Sequence, residues 1–281
     1  KLFLVLCTVI GYSSVAIAAP QEPIFSVVEK EQKPFLVTLK DLVNIESGSR
    51  DREGLDKISQ LIFNRLKALG GKVEFIEPGE NMYKMHDTPE KPGRMVKAEF
   101  KGAGTKKILL IAHMDTVYLK GMLAKQPFRI DGDRAYGLGI SDDKQGIALI
   151  LHTLDVLKKT KFNEYGKITV LINGDEEISS PAARALFSKL GAENDVTFSC
   201  EASQAKSDRI ALTTAGIAAV NLNITGKASH AGAAPELGRN ALDELTFQIQ
   251  QMRDLSDPKE GIKMNWTLAT AGTNRNVIPA T

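Results

Sequence analysis

The stretch Lys167–Ser180, KITVLINGDEEISS, decides how this chain is read. Its apolar run, Val170-Leu171-Ile172, has the pattern of a buried strand, yet three consecutive acids, Asp175, Glu176 and Glu177, follow within three residues. Like charges this close repel, and burying them without a cation costs several kcal/mol, so a positive group is expected beside them.

Working outward, strand-like runs precede it at KVEFIE, RMVKAEF and KKILLIAH, and one follows at DVTFSCE. Helical spacing separates them. Between KKILLIAH and KITVLIN lies SDDKQGIALILHTLDVLKK, where Ile147, Ile150, Leu151, Leu154 and Leu157 make one apolar stripe, and PAARALFSKL separates KITVLIN from DVTFSCE. Two further helices are expected upstream, over Pro34 to Glu46 and over Leu55 to Leu69, the second stopped by Gly70-Gly71. Strands alternating with helices predict an α/β fold, a mainly parallel sheet flanked by helices, and in such sheets ligands sit at the carboxyl ends of the strands.

After Ser207 the texture changes. GIAAVNLNITG and KMNWTLATAG read as strands, PELGRNALDELTFQIQQMRDL as an amphipathic helix, and TNRNVIPAT follows. The expected organisation is therefore a first domain over residues 20–212 and the start of an α+β domain over 213–281. A chain that stops inside such a unit, and that begins without Met, is expected to be truncated at both ends.

Of the 281 residues, 43% are hydrophobic and 25% charged, and 36 basic against 34 acidic residues leave a net charge of +2. That balance gives no electrostatic case for nucleic acid. Lys1 leads into apolar Leu2 to Ile10 and the small-x-small site Ala16-Ile17-Ala18. This core is shorter than the ~20 residues a spanning helix needs, so residues 1–19 read as a signal peptide removed on export, to the periplasm or outside, with no membrane attachment left. Cys7 goes with it, leaving Cys200 unable to form an intrachain disulfide.

Acids and one histidine recur where strands should end: His113 and Asp115 in LLIAHMDTV, Asp142 and Asp143 in YGLGISDDKQG, Glu176 and Glu177 in INGDEEISS, and Glu201 in FSCEAS. One imidazole and several carboxylates on one sheet edge suit a divalent metal, zinc first. Acids also favour helix N-termini, by ~0.3–1 kcal/mol each. That explains any one of these pairs but not four at strand ends. GLGISDD fails as a dinucleotide loop, because Asp142 stands where the third glycine should be and would face a pyrophosphate. His86 and His152 match no motif, and His152 is expected to pack or to lie at the surface.

HMDTV, GLGISDDKQG, NGDEE and GKASHAGAAPELGRNA, in this order and spacing, resemble the two-zinc peptidase family of glutamate carboxypeptidases, aminoacylases, acetylornithine deacetylases and succinyl-diaminopimelate desuccinylases. The match runs from about Lys106 to the end, and HMDTVYLKG with ITGKASHAGAAPELG is most similar to the carboxypeptidase G type. The resemblance implies two zinc ions per full-length chain. It makes His113 and Glu201 terminal ligands of one zinc, Asp142 the bridge, Glu177 a ligand of the second, and Asp115 the partner that orients the His113 ring. It makes Glu176 the general base, implies a cis peptide between Asp142 and Asp143, and gives residues 213–281 the role of a lid and dimerisation domain. His230 would reach across a homodimer to the oxyanion, and Asn276 would lie near the substrate. A glutamate at position 201 follows the carboxypeptidase and deacylase pattern rather than that of aminopeptidases.

The implied activity is hydrolysis of an amide bond next to a free carboxylate in a small peptide, releasing C-terminal glutamate. An N-acyl amino acid deacylase is the alternative, and a non-catalytic binding protein on the same fold the alternative of another class. The family's second-zinc histidine and a substrate-binding arginine have no counterpart within 281 residues, so the chain by itself is expected to be poorly active or inactive.

Overall fold

The computed structural model describes residues 22–85, 88–203 and 209–281, so the signal-peptide reading, Cys7 and His86 lie outside the described residues. The described residues up to Ile210 form one compact unit, and Ala211–Thr281 a second.

The first unit runs α1 (Ile24–Val43), α2 (Arg52–Ala68), β1 (Lys72–Ile76), β2 (Gly93–Lys101), β3 (Lys107–His113), the hairpin β4 (Arg129–Asp131) and β5 (Arg134–Tyr136), α3 (Gln145–Lys159), β6 (Lys167–Gly174), α4 (Arg184–Glu193) and β7 (Val196–Ser199). Five strands form one sheet in the order β1-β2-β6-β3-β7. The fold is α/β, as expected, and the sheet is mixed. β3 pairs in parallel with β6 and β7, while β1–β2 and β2–β6 are antiparallel. The connections explain the division. Parallel neighbours need a crossover, which α3 and α4 supply, whereas β1 and β2 are joined without a helix and so run back antiparallel.

Alternation along the strands sorts the core onto two faces. Ile168, Val170 and Ile172 of β6 pack with Leu42, Leu55, Ile62 and Leu151 beneath α1, α2 and α3. Leu171 turns to the opposite face, with Leu109, Ala183 and Leu190 under α4. Covered on both sides, β6 is buried from Ile168 to Gly174, which is why its sequence is a continuous apolar run rather than an alternating one.

Helix α1 starts ten residues earlier than its apolar spacing suggests and carries Pro34 in its interior. A proline there forgoes an intrahelical bond. The extension is held from outside the helix: buried Glu31 accepts hydrogen bonds from His152 Nδ1 and Lys159 Nζ of α3. Helix α2 begins at Arg52, three residues ahead of the expected Leu55, because Asp51 accepts from the Gly54 amide as N-cap and starts the helix before its apolar stripe does.

In the second unit, α5 (Ala241–Gln251) forms with Asn240 capping it. The expected strands GIAAVNLNITG and KMNWTLATAG do not form. A strand needs a partner ladder, and pairing among the described residues 211–281 is limited to isolated bridges such as Lys227 with Arg239 and His230 with Val277. Ile217 and Leu268 accordingly stay 96% and 77% exposed. No helix among the described residues is long and apolar enough to cross a membrane.

The packing makes a direct test of the two-sided core. Ile172→Ala, at a fully buried site on β6, should cost about 2–5 kcal/mol in denaturant unfolding, whereas Leu149→Ala, on the exposed side of α3, should cost under about 1 kcal/mol.

Candidate metal centre

Parallel register delivers the candidate residues to one edge. His113 at the end of β3 lies opposite Asn173 of β6, and Ile111 lies opposite Ser199 of β7. The Cys200 amide donates to the Ile111 carbonyl at 2.9 Å, so Glu201, one residue on, emerges beside His113. Asp142 and Asp143 stand in the turn that leads into α3, after Gly139, whose φ of +63° and close approach to Thr116 suit only glycine. The peptide between Asp142 and Asp143 is cis.

The His113 ring is buried, with Nδ1 3.0 Å from the Asp115 carbonyl and 3.4 Å from its Oδ1. Both neighbours are acceptors, so Nδ1 carries a proton and Nε2 faces the cleft. Nε2 lies 2.9 Å from Asp142 Oδ1, 3.5 Å from Glu201 Oε1 and 3.9 Å from Glu176 Oε2. One ligand atom from each of His113, Asp142 and Glu201 falls within 4.8 Å of the others. Asp142, Glu176 and Glu201 keep 64%, 46% and 43% of their side chains exposed, so the group opens to solvent. A cleft of ≈ 140 Å³ lined by Ile111, His113, Asn173, Glu176, Phe187 and Glu201 lies there.

The three consecutive acids divide. Asp175 is buried and turns away from the cleft, accepting from Asn173 Nδ2 at 2.9 Å and from the amides of Ala182 and Ala183 at 2.6 and 3.3 Å, ahead of α4. Burial raises its pKa, and these hydrogen bonds oppose that rise. Glu176 and Glu177 are fixed through their backbone: the Glu176 amide donates to Asp115 Oδ1 at 2.9 Å and the Glu177 amide to Asp115 Oδ2 at 3.1 Å. Ser49 Oγ donates to the same Oδ2 at 2.8 Å.

Electrostatics at this edge favour an added positive charge. Burial would pull the His113 imidazole down, but the Asp115 hydrogen bond and the carboxylates of Asp115, Glu201 and Asp143 outweigh it and push it up to about 10. Burial, followed by the charge of Asp142, pushes Glu177 up to about 7. Glu176 and Glu201 are raised as well, first by burial and then by neighbouring acids, with His113 opposing. Buried Asp143, whose Oδ1 has no partner, is driven up to about 8 by burial and by Glu201. An imidazole nitrogen with carboxylate oxygens around it is the donor set of a divalent cation such as zinc, so the residues present fit one.

Glu177 stands outside the group of three, although Asp142 is the charge that acts on it most. His230 and Asn276 lie in the second unit and are brought together there, the Ala231 amide donating to the Asn276 carbonyl at 2.9 Å. His152 packs against the Phe35 ring and joins a second acid cluster with Glu31 and Asp155, whose ligand atoms already serve Lys159 and Thr38. Sequence reasoning missed Ser49 and Asn173. A polar residue ending an otherwise apolar buried run was a signal for Asn173, while nothing local marked Ser49, which acts across 66 residues.

Comparison with known proteins places these features in a family. The chain is 44% identical over 257 residues to Carboxypeptidase G2 of Pseudomonas sp. (strain RS-16), covering 92% of this chain and 60% of that one. It is 27% identical to acetylornithine deacetylase of Proteus mirabilis (strain HI4320), covering 72% of this chain and 49% of the relative. The chain thus spans about half to three fifths of the length of these relatives. A tripeptidase of Staphylococcus aureus shares the fold with a TM-score of 0.56 at 20% identity, covering 88% of this chain and 63% of that structure. Residues 109–267, the segment holding His113, Asp142, Glu176, Glu177 and Glu201, match the sequence model of Peptidase family M20/M25/M40, and the chain belongs to that family.

Proposed function

We propose that the protein is a zinc-dependent hydrolase cleaving an amide bond next to a free carboxylate, most specifically a glutamate carboxypeptidase. The observation that carries this reading is the group His113–Asp142–Glu201 with Glu176 beside it: three ligand atoms within 4.8 Å, and a fourth acid at 3.9 Å from the same imidazole nitrogen. The likeness to Carboxypeptidase G2 supports a carboxypeptidase, and the likeness to an acetylornithine deacetylase supports N-acyl amino acid deacylation as a second reading. Turnover of acyl-glutamates against acyl-ornithines separates the two.

His113, Asp142 and Glu201 would hold one zinc, and Asp142 with Glu177 would contribute to a second. When bound, such ions polarise the scissile carbonyl and make a water more acidic. Glu176 is free for proton transfer: its backbone is pinned by Asp115, its carboxylate is open to the cleft, and burial raises its pKa above that of an ordinary glutamate. It takes a proton from the attacking water and returns it to the leaving amine. Adjacent glutamates thereby divide the work, Glu177 binding metal and Glu176 moving protons. In the second unit, His230 Nδ1 accepts from the amides of Gly232 and Ala233 at 3.2 and 2.9 Å, so its proton sits on Nε2, ready to donate to an oxyanion. Residues 20–212 would form the catalytic domain and 213–281 the start of a lid through which the protein dimerises, with Asn276 near the substrate. The apolar leader and Ala16-Ile17-Ala18 support export to the periplasm or outside.

Glu176→Ala in the full-length protein should lower hydrolysis of an acyl-glutamate by about 10²–10⁴-fold with zinc content unchanged. Retained activity with loss of zinc defeats the assignment.

A pH dependence follows from the raised carboxylate and imidazole. Between the ordinary 4.5 of a glutamate and about 7, the metal-free folded chain keeps a proton on Glu177 that the unfolded chain has released. Between 6.5 and about 10 it keeps one on His113. In both windows the folded state binds more protons, so metal-free stability falls as pH rises. Zinc replaces these protons, and its increment to melting temperature should be larger at about pH 8 than at about pH 5, which calorimetry with and without zinc measures.

A further inference from the structure

We infer that Ser49 is a positioning residue of the metal centre, acting through Asp115. The inference rests on reading that edge as a metal centre and adds a residue far from it in sequence. Ser49 sits in the loop between α1 and α2, buried, with Oγ donating to Asp115 Oδ2 at 2.8 Å. Asp115 is itself fully buried and collects three donors: Ser49 Oγ, the Glu176 amide and the Glu177 amide. The same residue presents its carbonyl and Oδ1 to His113 Nδ1. One carboxylate therefore sets both the His113 ring and the backbone of the acidic turn. Besides the His113 ring, Ser49 is the side chain among the described residues that donates to Asp115.

The loop does not need the hydroxyl to hold its place. The Ser49 amide donates to the Thr116 carbonyl at 3.1 Å and the Thr116 amide to the Ser47 carbonyl at 2.9 Å, a short parallel bridge beside β3. At Gly48 an added Cβ would meet the Tyr118 carbonyl oxygen at 2.4 Å, so only glycine allows this approach. Buried Lys144, next to Asp143 in the turn before α3, donates Nζ to the Ile45 carbonyl at 2.8 Å and ties the start of the same loop to the metal edge. The Thr116 carbonyl, 3.3 Å from Ser49 Oγ, is a second and longer acceptor for the hydroxyl; with the backbone already fixed, what the shorter 2.8 Å contact adds is the rotation of the Asp115 carboxylate. Groups that orient a ligand without touching the metal set its affinity, by about 10–100-fold when removed.

The test is a chelator-competition titration of zinc into the purified protein, with the melting temperature of the metal-free form recorded alongside. Ser49→Ala should leave that melting temperature close to wild type and weaken zinc binding by about 10-fold, and Ser49→Thr, which keeps a hydroxyl, should restore it. A purely structural Ser49 would lower the melting temperature and leave affinity unchanged; affinity equal to wild type in folded Ser49→Ala overturns the inference. Where Ser49→Ala does not fold, Ser49→Cys takes its place, with a weaker donor of similar size: reduced affinity supports the inference and unchanged affinity overturns it. If the wild-type protein takes up no zinc, the metal-centre reading fails and the inference with it. If wild type binds and His113→Ala does not, while Ser49→Ala matches wild type, the inference alone fails.

Discussion

The carboxylate of Asp115 joins three parts of the chain: the end of β3, the acidic turn after β6 and the loop after α1. A buried carboxylate is costly unless its oxygens are occupied, and those of Asp115 are, by two backbone amides and a hydroxyl. The arrangement constrains its surroundings. Glu176 and Glu177 can approach each other and His113 because their amides, not their side chains, are anchored. The Glu176 side chain is left to face the cleft, and burial followed by neighbouring acids raises the proton affinity of both glutamates.

That constraint works only because the sheet brings the strands to one edge. The parallel pairing of β3 with both β6 and β7 places His113, Asn173 and Ser199 within two residues of the carboxyl ends of their strands. The apolar faces of β6, covered on both sides, hold the register that a one-residue slip would destroy. Metal chemistry at the edge and hydrophobic burial in the middle are thus two consequences of the same alternation.

Much of this was legible in the residues themselves. The continuous run Val170-Leu171-Ile172 announces a doubly covered strand, and the stripe from Ile147 to Leu157 announces the crossover helix, because each pattern reports burial directly. His113, Asp142, Glu176 and Glu201 stood out as a set, because helix-start preference explains one acid pair at a strand end but not four converging on one edge. Three things were not. Asp175 looks like its neighbours in sequence, and only the chain's turn toward α4 gives it hydrogen-bond partners of its own. The start of α1 depends on Glu31 meeting His152 and Lys159, a contact across more than a hundred residues. The strand-like segments after Ala211 have the composition of strands but lack partners among the described residues, and pairing is a property of two segments, never of one.

The claim on which the rest stands is that this edge binds a divalent cation, and zinc per chain is its plainest measure. Elemental analysis of the purified chain, after dialysis against metal-free buffer, should give at least about one zinc per chain, falling toward zero in Asp142→Asn. A chain folded by circular dichroism that retains no zinc, or one whose zinc survives that substitution unchanged, would show that these acids merely terminate strands and start helices.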